Sequence, residues 1–343
     1  MIVGAFIATI LAGLFTILQT NAILIFVVSG LALALLAAMV GQATDQVGSR
    51  LGPGATGVLQ SALGNLPELF VGIFSLRAGL IYVVQAALVG SILGNSLFVL
   101  GLAFFVGGLR HGKQSFSAES TRMLAMLTLL ATGALIMPTL VQGLHTPAAS
   151  HEGGLSIACA VILLVVFLAS IPVSLHGAPP AMSQEEADAH NWPIWLAVVV
   201  LVAAGVGSAF VSDWFVTSLT PAISALHISQ GFTGLVIVAL AGNAVENVVG
   251  IQFAARNKVD YSISVILNSS LQVALGLIPV LVLLSFVIGG AHLLLVLPPL
   301  LVVALALTAI LSTVITVDGQ STWLEGLTLM GLYAIIAVSF WWG

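Results

Sequence analysis

Long, continuous apolar runs follow one another along almost the whole chain. A helix needs about 20 apolar residues to cross the hydrocarbon core of a bilayer, whereas a transmembrane β-barrel shows short segments of alternating polarity. Only 6% of the 343 residues are charged, against about 25% in soluble domains. The sequence therefore predicts an all-α integral membrane protein, and it excludes a soluble enzyme, a nucleic-acid-binding protein and a disordered chain.

The apolar runs divide into eleven predicted membrane spans. The first run has no Lys or Arg before it, which indicates a retained span and not a signal peptide. Two spans, 52–78 and 228–255, are polar at their centres. The eleven spans cover residues 3–18, 22–41, 52–78, 81–107, 119–141, 154–174, 192–212, 228–255, 259–286, 292–313 and 322–342.

Basic residues are unevenly divided between the two sides of the membrane. With eleven spans, six of them fall on the side of the N-terminus and only Arg77 falls on the other side. Cytoplasmic connections carry the excess of Lys and Arg, so the N-terminus is predicted inside and the C-terminus outside. Short connections suit a prokaryotic plasma membrane, with an organelle membrane as the alternative. The six residues are Arg50, Arg110, Lys113, Arg122, Arg256 and Lys258.

The longest polar connection, residues 175–191, carries Glu185, Glu186 and Asp188. With eleven spans it lies in the cytoplasm. One interpretation is a solvated linker between two halves of the protein. The other is an acidic segment that regulates the protein or attracts cations.

Two segments of the chain repeat each other without gaps. Residues 64–73 read GNLPELFVGI and residues 242–251 read GNAVENVVGI, an offset of 178 residues with six of ten positions identical. The segments lie in the third and eighth spans, so they cross the membrane in opposite directions. Such inverted repeats are typical of secondary transporters, with the binding site near the membrane midplane. We therefore expect an extra first helix (1–20), a first repeat (21–176), a linker (177–191) and a second repeat (192–343).

The repeated segments place Glu68 and Glu246 at equivalent positions inside predicted spans. A charged side chain at the centre of a transmembrane helix costs about 2.5–3.5 kcal/mol on insertion scales, and such residues are functional by default. One interpretation is a cation site that shares both carboxylates. The alternative is a structural role in which each Glu is protonated and hydrogen-bonded. If the two lie close together, their repulsion favours proton uptake when the cation leaves.

The residues around the two glutamates favour a hard cation. Pro67 and Gly64 interrupt the first helix, because a proline lacks the backbone N–H and frees a carbonyl oxygen. Gly242 allows a similar break in the second copy. All the nearby donors are oxygens, which suits Ca²⁺ better than Zn²⁺ or Cu. The neutral oxygen donors are Asn65, Asn243, Ser91, Ser269, Ser270 and Gln272.

Two further acids form a weaker prediction. Asp45 follows the second predicted span on the inner side, and Asp213 follows the seventh on the outer side. We interpret them as the two entrances of a cation path, and the alternative is a pair of ordinary helix-end acids. The single Cys159 excludes a disulfide within the chain, and the histidines in or near loops show no metal-ligand spacing.

Residues 64–101 and 242–284 resemble the two α-repeats of the cation/Ca²⁺ exchanger superfamily, and they are most similar to its Ca²⁺/H⁺ antiporter branch. The segments GGLRHGKQSFS, at 107–117, and VDGQSTWLEGLTLMGLYAIIAVSFWW, at 317–342, also resemble that branch. The resemblance begins near Gly41 and reaches the C-terminus. It implies an eleven-helix antiporter that moves Ca²⁺ in exchange for protons.

The resemblance also implies roles for particular residues. The acids of the two motifs fall on Glu68 and Glu246, and the motif amides fall on Asn95 and Gln272. The chain departs from the family pattern at Asn247, where a His is usual, and at Gly94, where a Ser is usual. It also has one acid, Asp45, where two adjacent acids are common.

These patterns predict an antiporter that exchanges Ca²⁺ for H⁺ by alternating access, with the ions as its cargo, the lipid bilayer as its surroundings and no cofactor. The nearest alternative is an exchanger of Na⁺ for Ca²⁺ or one for another divalent cation. The amides Asn65, Asn243 and Asn268 stand where that class needs hydroxyls and acids. A cation channel or an intramembrane enzyme fits less well, because the spans hold one polar layer and lack a catalytic motif. The sequence leaves the oligomeric state open, a homo-oligomer included.

Overall fold

A computed structural model describes residues 2–51, 59–60, 63–176 and 192–342. In these residues the first half of the chain is helical apart from one short strand. Its elements are α1 (Ile2–Ile17), α2 (Ala22–Leu51), α3 (Leu66–Arg77), α4 (Ile81–Leu93), a π-helical turn (Gly94–Val99), α5 (Leu100–His111), β1 (Gln114–Ser115), α6 (Ala118–Gly143), a 3₁₀ turn (Pro147–His151) and α7 (Glu152–His176).

The second half has the same character. Its elements are α8 (Ile194–Leu226), α9 (Gln230–Phe232), a π-helical turn (Thr233–Val238), α10 (Ala239–Gly242), α11 (Ala244–Ala255), α12 (Val259–Leu271), a π-helical turn (Gln272–Leu277), α13 (Ile278–Ser285), α14 (Pro299–Thr316), β2 (Gln320–Ser321) and α15 (Trp323–Ser339).

The described residues contain seven helices that are long and apolar enough to cross a membrane. A bent pair, Gln230–Gly242 with Asn247–Ala255, would make an eighth span, and Ile2–Ile17 and Trp323–Ser339 are shorter apolar helices. The protein is therefore an all-helical, multi-pass membrane protein. The predicted span 52–78 lies partly outside the described residues.

The element bounds repeat at the offset of the two sequence motifs. Adding 178 residues to α3 gives the bounds of α11, and adding it to α4 gives those of α12. The π-helical turn Gly94–Val99 maps in the same way onto Gln272–Leu277. The similarity between the two segments therefore extends from the motif helices through the next helix and into a π-helical turn.

The chain divides into two compact units, each drawn from both halves of the sequence. Unit 1 contains Met1–Ala78, Ala169–His227 and Ala241–Val245. Unit 2 contains Gly79–Leu168, Ile228–Leu240 and Glu246–Gly343.

Unit 1 is organised around α2 and α8, which pack along each other in opposite directions. The rings of Phe26 and Phe215 stack with centroids 4.9 Å apart near one end. At the other end, the backbone N–H of Trp192 donates to Gln46 and its carbonyl accepts from Arg50. Gly13 of α1 faces the indole of Trp214, so α1 packs on the same pair.

Both of these long helices extend beyond the predicted spans, which corrects the placement of two acids. α2 continues to Leu51 and α8 to Leu226, so Asp45 and Asp213 lie within helices and not after them. Apolar content marks the part of a helix that faces lipid or protein, but backbone hydrogen bonds continue through polar residues. The bonds of Gln46 and Arg50 to Trp192 hold the additional turns of α2.

Unit 2 contains two well-buried spans, Ile81–His111 and Val259–Ser285. Glycines allow close packing around the first of them. Gly90 of α4 meets the backbone of Leu235, and Gly101 of α5 meets the backbone of Gly326 in α15. β1 and β2 pair antiparallel, with Gln114 opposite Ser321.

The predicted span 292–313 is wrong in its first third, because α14 begins only at Pro299. Residues 292–298 are extended, and Leu293, Leu295 and Leu297 are buried on alternate positions. Gly289 and Gly290 have positive φ angles before the segment, and Pro298 and Pro299 end it. Glycine permits such φ angles and proline favours the first turn of a helix, so the chain turns, extends and then restarts its helix.

Side chains satisfy the backbone of this extended segment. The N–H groups of Leu293, Leu295 and Leu297 donate to Ser285, Ser156 and Thr139, at 3.0, 3.0 and 2.7 Å. The amide of Gln85 donates to the carbonyls of Leu294 and Val296, at 3.1 and 3.0 Å. Non-helical backbone at membrane depth needs such internal partners, because lipid offers none.

Candidate cation site

The first motif forms a broken helix. Gly64 and Asn65 form a turn, and α3 begins at Leu66 with Pro67 in its first turn. A proline there removes an N–H group that would have no intrahelical partner. The break therefore places Glu68 in the first turn of α3, where the helix dipole favours a negative charge.

Glu68 lies against the second motif. A Cβ atom built on Gly242 would fall 2.7 Å from Oε1 of Glu68 and 2.8 Å from its Cγ. A larger residue than glycine would therefore displace the side chain of Glu68 from this position. The side chain of Glu68 is partly buried and its Oε2 atom is shielded from solvent. The acid of one motif thus contacts the glycine of the other, within unit 1.

Two of the predicted amide ligands belong to the same unit. Asn65 is 9% exposed and directly precedes α3, and Asn243 is 2% exposed and follows Gly242. The structure thus keeps Asn65, Glu68 and Asn243 at the two helix breaks of the repeated motifs. Buried amide oxygens are hard neutral donors of the kind that Ca²⁺ accepts.

The second motif helix, α11, contains Glu246 in its first turn. The side chain of Glu246 lies outside the described part of the structure, so its predicted role as a ligand stays a prediction. Asn247 follows it with a buried Oδ1 atom that has no hydrogen-bond partner among the described residues.

The other predicted ligands lie in unit 2, on the two most buried spans. Nδ2 of Asn95 donates to Oγ of Ser269 at 2.9 Å, and the hydroxyls of Ser96 and Ser270 are 2.9 Å apart. Ser91 is 4% exposed and lies one turn before Asn95. Gln272 is partly buried and opens a π-helical turn, as Gly94 does beside Asn95. π-Helical turns often occur at functional sites.

The two predicted entrance acids, Asp45 and Asp213, lie near opposite ends of the α2–α8 pair. Phe26 of α2 faces Phe215 of α8, and the two helices run in opposite directions. Asp213, two residues before Phe215, therefore lies at the level of residue 28 of α2. Asp45 is seventeen residues further along α2 (28 to 45), or about 25 Å at 1.5 Å per residue. Both side chains are exposed. Gly205 of α8 lies between the levels of Asp45 and Asp213, and it faces Leu66. α3 therefore begins between the levels of the two acids.

The sequence alone identified neither the buried hydroxyl of Ser96 nor the contact between Gly242 and Glu68. The signal for Ser96 was a polar residue beside Asn95 in an otherwise apolar run. The signal for Gly242 was its place in the repeat, but the sequence does not reveal which side chain needs the space.

The comparison with protein families matches the sodium/calcium exchanger protein family over residues 21–175 and 196–342. This chain belongs to that family. The chain is 36% identical over 341 residues to the Ca²⁺/H⁺ antiporter of Synechocystis sp., covering 92% of this chain and 90% of the relative. It is 33% identical over 325 residues to the Ca²⁺/H⁺ antiporter ChaA of Bacillus subtilis, covering 92% and 91%.

The fold of this exchanger-family protein matches that of a solved relative. The crystal structure of the selenium-substituted Ca²⁺/H⁺ antiporter protein YfkE superposes with a TM-score of 0.82 at 28% identity. The match covers 98% of this chain and 97% of that one. The resemblance seen in the sequence is therefore confirmed for the family and for the overall fold.

Proposed function

We propose that this protein is a secondary active transporter that exchanges Ca²⁺ for H⁺ by alternating access. Relatives that are 33–36% identical over nine-tenths of the chain carry the name Ca²⁺/H⁺ antiporter. The observation that carries the proposal is the carboxylate of Glu68, which lies against Gly242 of the second motif, four residues before Glu246. An acid kept at a helix break inside an apolar fold needs a cation or a proton to balance its charge.

Glu68 and Glu246 are the proposed shared ligands. Both take up protons when Ca²⁺ leaves, because protons and the metal compete for the same oxygens. Two protons in place of one Ca²⁺ leave the charge of the site unchanged, which favours passage of the loaded site through a low-dielectric region. The proposed neutral ligands are Asn65, Asn243, Ser91, Ser269, Gln272 and Asn95.

The proposed topology has eleven spans, an extra first helix and two inverted five-helix repeats. The identical offsets of α3 with α11 and of α4 with α12 support the repeat. The N-terminus and the linker 177–191 are proposed to be cytoplasmic. Within unit 2, the side-chain amide of Gln114 donates to the carbonyl of Ala254 and to Oδ1 of Asn257. Gln114 follows Arg110, and the two acceptors precede Lys258. This contact supports a common side for the two basic residues.

Asp45 and Asp213 are proposed as the inner and outer entrances. Their separation along the α2–α8 pair, about 25 Å, approaches the roughly 30 Å of the hydrocarbon core. The start of α3 between their levels supports a path from either acid to Glu68. The proposed transport cycle requires only one subunit.

The experiment that tests the function is Ca²⁺ flux into proteoliposomes, driven by either a pH gradient or a Na⁺ gradient. Native protein is expected to respond to the pH gradient, and acid on the Ca²⁺ side is expected to inhibit. Glu68→Gln and Glu246→Gln each remove one charge and keep the shape. Each is expected to lower flux at least about a hundredfold, since one carboxylate and neutral oxygens hold Ca²⁺ poorly.

Glu119→Gln is the matched control, because Glu119 is an exposed acid at the start of α6. It is expected to transport like native protein. Flux that follows the Na⁺ gradient would favour the alternative, exchange of Na⁺ for Ca²⁺. Native, pH-dependent flux in either glutamine variant would exclude that Glu as an essential ligand.

A further inference from the structure

The hydroxyl of Ser262 in α12 makes a hydrogen bond to a different helix. Ser262 is 0% exposed, and its Oγ donates to the carbonyl of Gly250 in α11 at 2.7 Å. By contrast, the equally buried Thr308 and Thr316 of α14 donate to the carbonyl four residues earlier in their own helix. The Ser262 bond therefore joins α11 to α12.

The glycine that accepts this bond also brings the two helices close together. A Cβ atom built on Gly250 would fall 2.6 Å from Cγ1 and 2.8 Å from Cδ1 of Ile266 in α12. Small residues and interhelical hydrogen bonds are what hold helices together inside a membrane, where apolar surface alone gives no preference for protein over lipid. Gly250, Ser262 and Ile266 thus form one tight contact within unit 2.

This contact lies one helical turn from Glu246. Glu246 is in the first turn of α11, and Gly250 follows it by four residues, or about 6 Å at 1.5 Å per residue. The last turn of α11 is held as well, because the amide of Gln114 donates to the carbonyl of Ala254 at 3.2 Å. α11 is therefore fixed to unit 2 at its middle and at its end, and its first turn carries the acid.

α12 carries a proposed ligand on the face that holds α11. Ser269 follows Ser262 by seven residues, which is about two turns, so both serines lie on one face of the helix. Oγ of Ser269 accepts a hydrogen bond from Nδ2 of Asn95 at 2.9 Å. One face of α12 thus joins the helix of Glu246 to the amide of Asn95.

The first repeat cannot make the same bond. The offset of 178 residues places Gly72 at the position of Gly250 and Val84 at the position of Ser262, and valine has no hydroxyl. The units differ in the same way. α3 belongs to unit 1 and α4 to unit 2, whereas α12 and α11 from Glu246 onward both belong to unit 2. The serine stands in the repeat whose motif helix shares a unit with the next helix.

We propose that Ser262 is a positioning residue for Ca²⁺ binding. Through the carbonyl of Gly250 it fixes the first turn of α11, and with it Glu246, relative to the ligands that α12 carries and contacts. The proposal rests on the function proposed above. Ca²⁺ needs six to eight oxygens around it at once, whereas a proton needs a single carboxylate. Loss of the bond therefore weakens Ca²⁺ binding more than proton binding.

The test measures the KM for Ca²⁺ and the maximal rate separately in proteoliposomes. Ser262→Ala is expected to raise the KM about tenfold, because a small displacement of a binding group has a large effect, and to keep the maximal rate within about twofold. At a Ca²⁺ concentration that saturates native protein, acid should inhibit this variant at a higher pH, since protons meet a weaker competitor. Ser262→Thr keeps a hydroxyl and should restore the native KM.

Ser312→Ala is the matched control. The hydroxyl of Ser312 is 4% exposed and donates to the carbonyl of Ala309 in its own helix. Both alanine variants lose one buried hydrogen bond and should lower Tm slightly, but only Ser262→Ala should change the KM.

Gly250→Ala tests the same contact from the other helix, so the test does not depend on the folding of one variant. Its methyl group meets Ile266 and must push the side chain or the helices apart, so the KM should rise in the same way. Gly133→Ala is the control, because its added Cβ meets nothing within 4 Å.

Calorimetric Ca²⁺ binding to the purified protein separates this inference from the proposed function. Native KM in both Ser262→Ala and Gly250→Ala, in a protein that exchanges Ca²⁺ for H⁺, would overturn the positioning role and leave the exchange standing. Tenfold weaker Ca²⁺ binding in these variants, in a protein whose flux ignores the pH gradient, would keep the positioning role and overturn the exchange. An equal rise of KM in Ser262→Ala and Ser312→Ala would also overturn the positioning role.

Discussion

The extended segment of unit 2 and the α2–α8 interface of unit 1 use the same kinds of buried polar residue in opposite ways. In unit 2, Ser156, Thr139 and Gln85 satisfy the backbone of the extended segment 292–298, and Asn95 bonds Ser269 between two spans. In unit 1, Ser29 and Ser212 are just as buried but have no partner among the described residues. Satisfied polar networks make a structure rigid and specific. The contrast indicates that the extended segment 292–298 is held in one conformation by its side-chain partners, whereas the two serines of the α2–α8 interface contribute no such restraint.

The largest effect is expected on the stability of unit 2, where one side chain, Gln85, satisfies two backbone carbonyls. Gln85→Leu keeps the approximate volume but leaves the carbonyls of Leu294 and Val296 unpaired. Each buried orphan costs about 1–3 kcal/mol, so the free energy of unfolding should fall by about 2–6 kcal/mol. Thermal unfolding in detergent measures this. The control is Gln142→Leu, whose exposed side-chain amide donates to the carboxylate of Glu152. Equal Tm values for the two variants would show that the segment does not rely on Gln85.

A second prediction tests the fit of Glu68 in unit 1. Gly242→Ala puts a methyl group 2.7–2.9 Å from the carboxylate, so the flexible end of Glu68 must move. The fold should survive with a native Tm. Ca²⁺ flux should fall about a hundredfold, since a displacement of about 1 Å in a binding group has effects of that size.

The matched control for this change is Gly205→Ala, also in unit 1. Its added methyl group meets only Leu66, at an ordinary 3.9 Å. The control should keep native transport. If Gly242→Ala transports as well as Gly205→Ala, then the contact between Gly242 and Glu68 does not position the carboxylate.

The smallest effect is expected at Asp45 and Asp213, the two proposed entrances. Asp45→Asn should weaken Ca²⁺ uptake from the inner side and Asp213→Asn from the outer side, each by about tenfold or less. An exposed charge raises the local cation concentration and does not bind the ion tightly. The effect should shrink as ionic strength rises, because salt screens exposed charges.

Initial rates with Ca²⁺ supplied from each side, at low and high ionic strength, measure the effect of these two variants. Asp318→Asn is the control, because this acid caps a turn by accepting from the N–H of Gln320. If either variant lowered the Ca²⁺ transport rate from both sides, the proposal of two separate entrances would be wrong.

The sequence predicted the helix breaks well because Gly, Asn and Pro act locally. The pattern around Gly64 and Pro67 anticipated the start of α3, and the repeat anticipated α11 and α12. Hydropathy did not identify the extended segment 292–298, because an apolar stretch looks the same whether it is helical or extended. The flanking Gly289–Gly290 and Pro298–Pro299 were the only local signals.

The site could be predicted as residue types but not as contacts. Glu68 and the buried amides stand out because polar residues are rare in apolar spans. The contact of Glu68 with Gly242 depends on how distant helices pack, and a glycine carries no trace of what occupies its space. Whether Ser29 and Ser212 find a hydrogen-bond partner depends in the same way on three-dimensional neighbours, which the sequence does not reveal.

A π-helical turn sets how the helix after it is rotated about its axis relative to the helix before it. A π-helical turn is an α-helix with one additional residue, and each residue of an α-helix turns the chain by about 100°. The turn Gly94–Val99 therefore sets the angle between the face of α4 that carries Ser91 and the face of α5 that packs Gly101 on Gly326. Deleting one residue there would rotate α5 by about 100° and separate Gly101 from its neighbour. The length of this turn thus couples the orientation of Ser91, a proposed ligand, to the packing of α5 on α15.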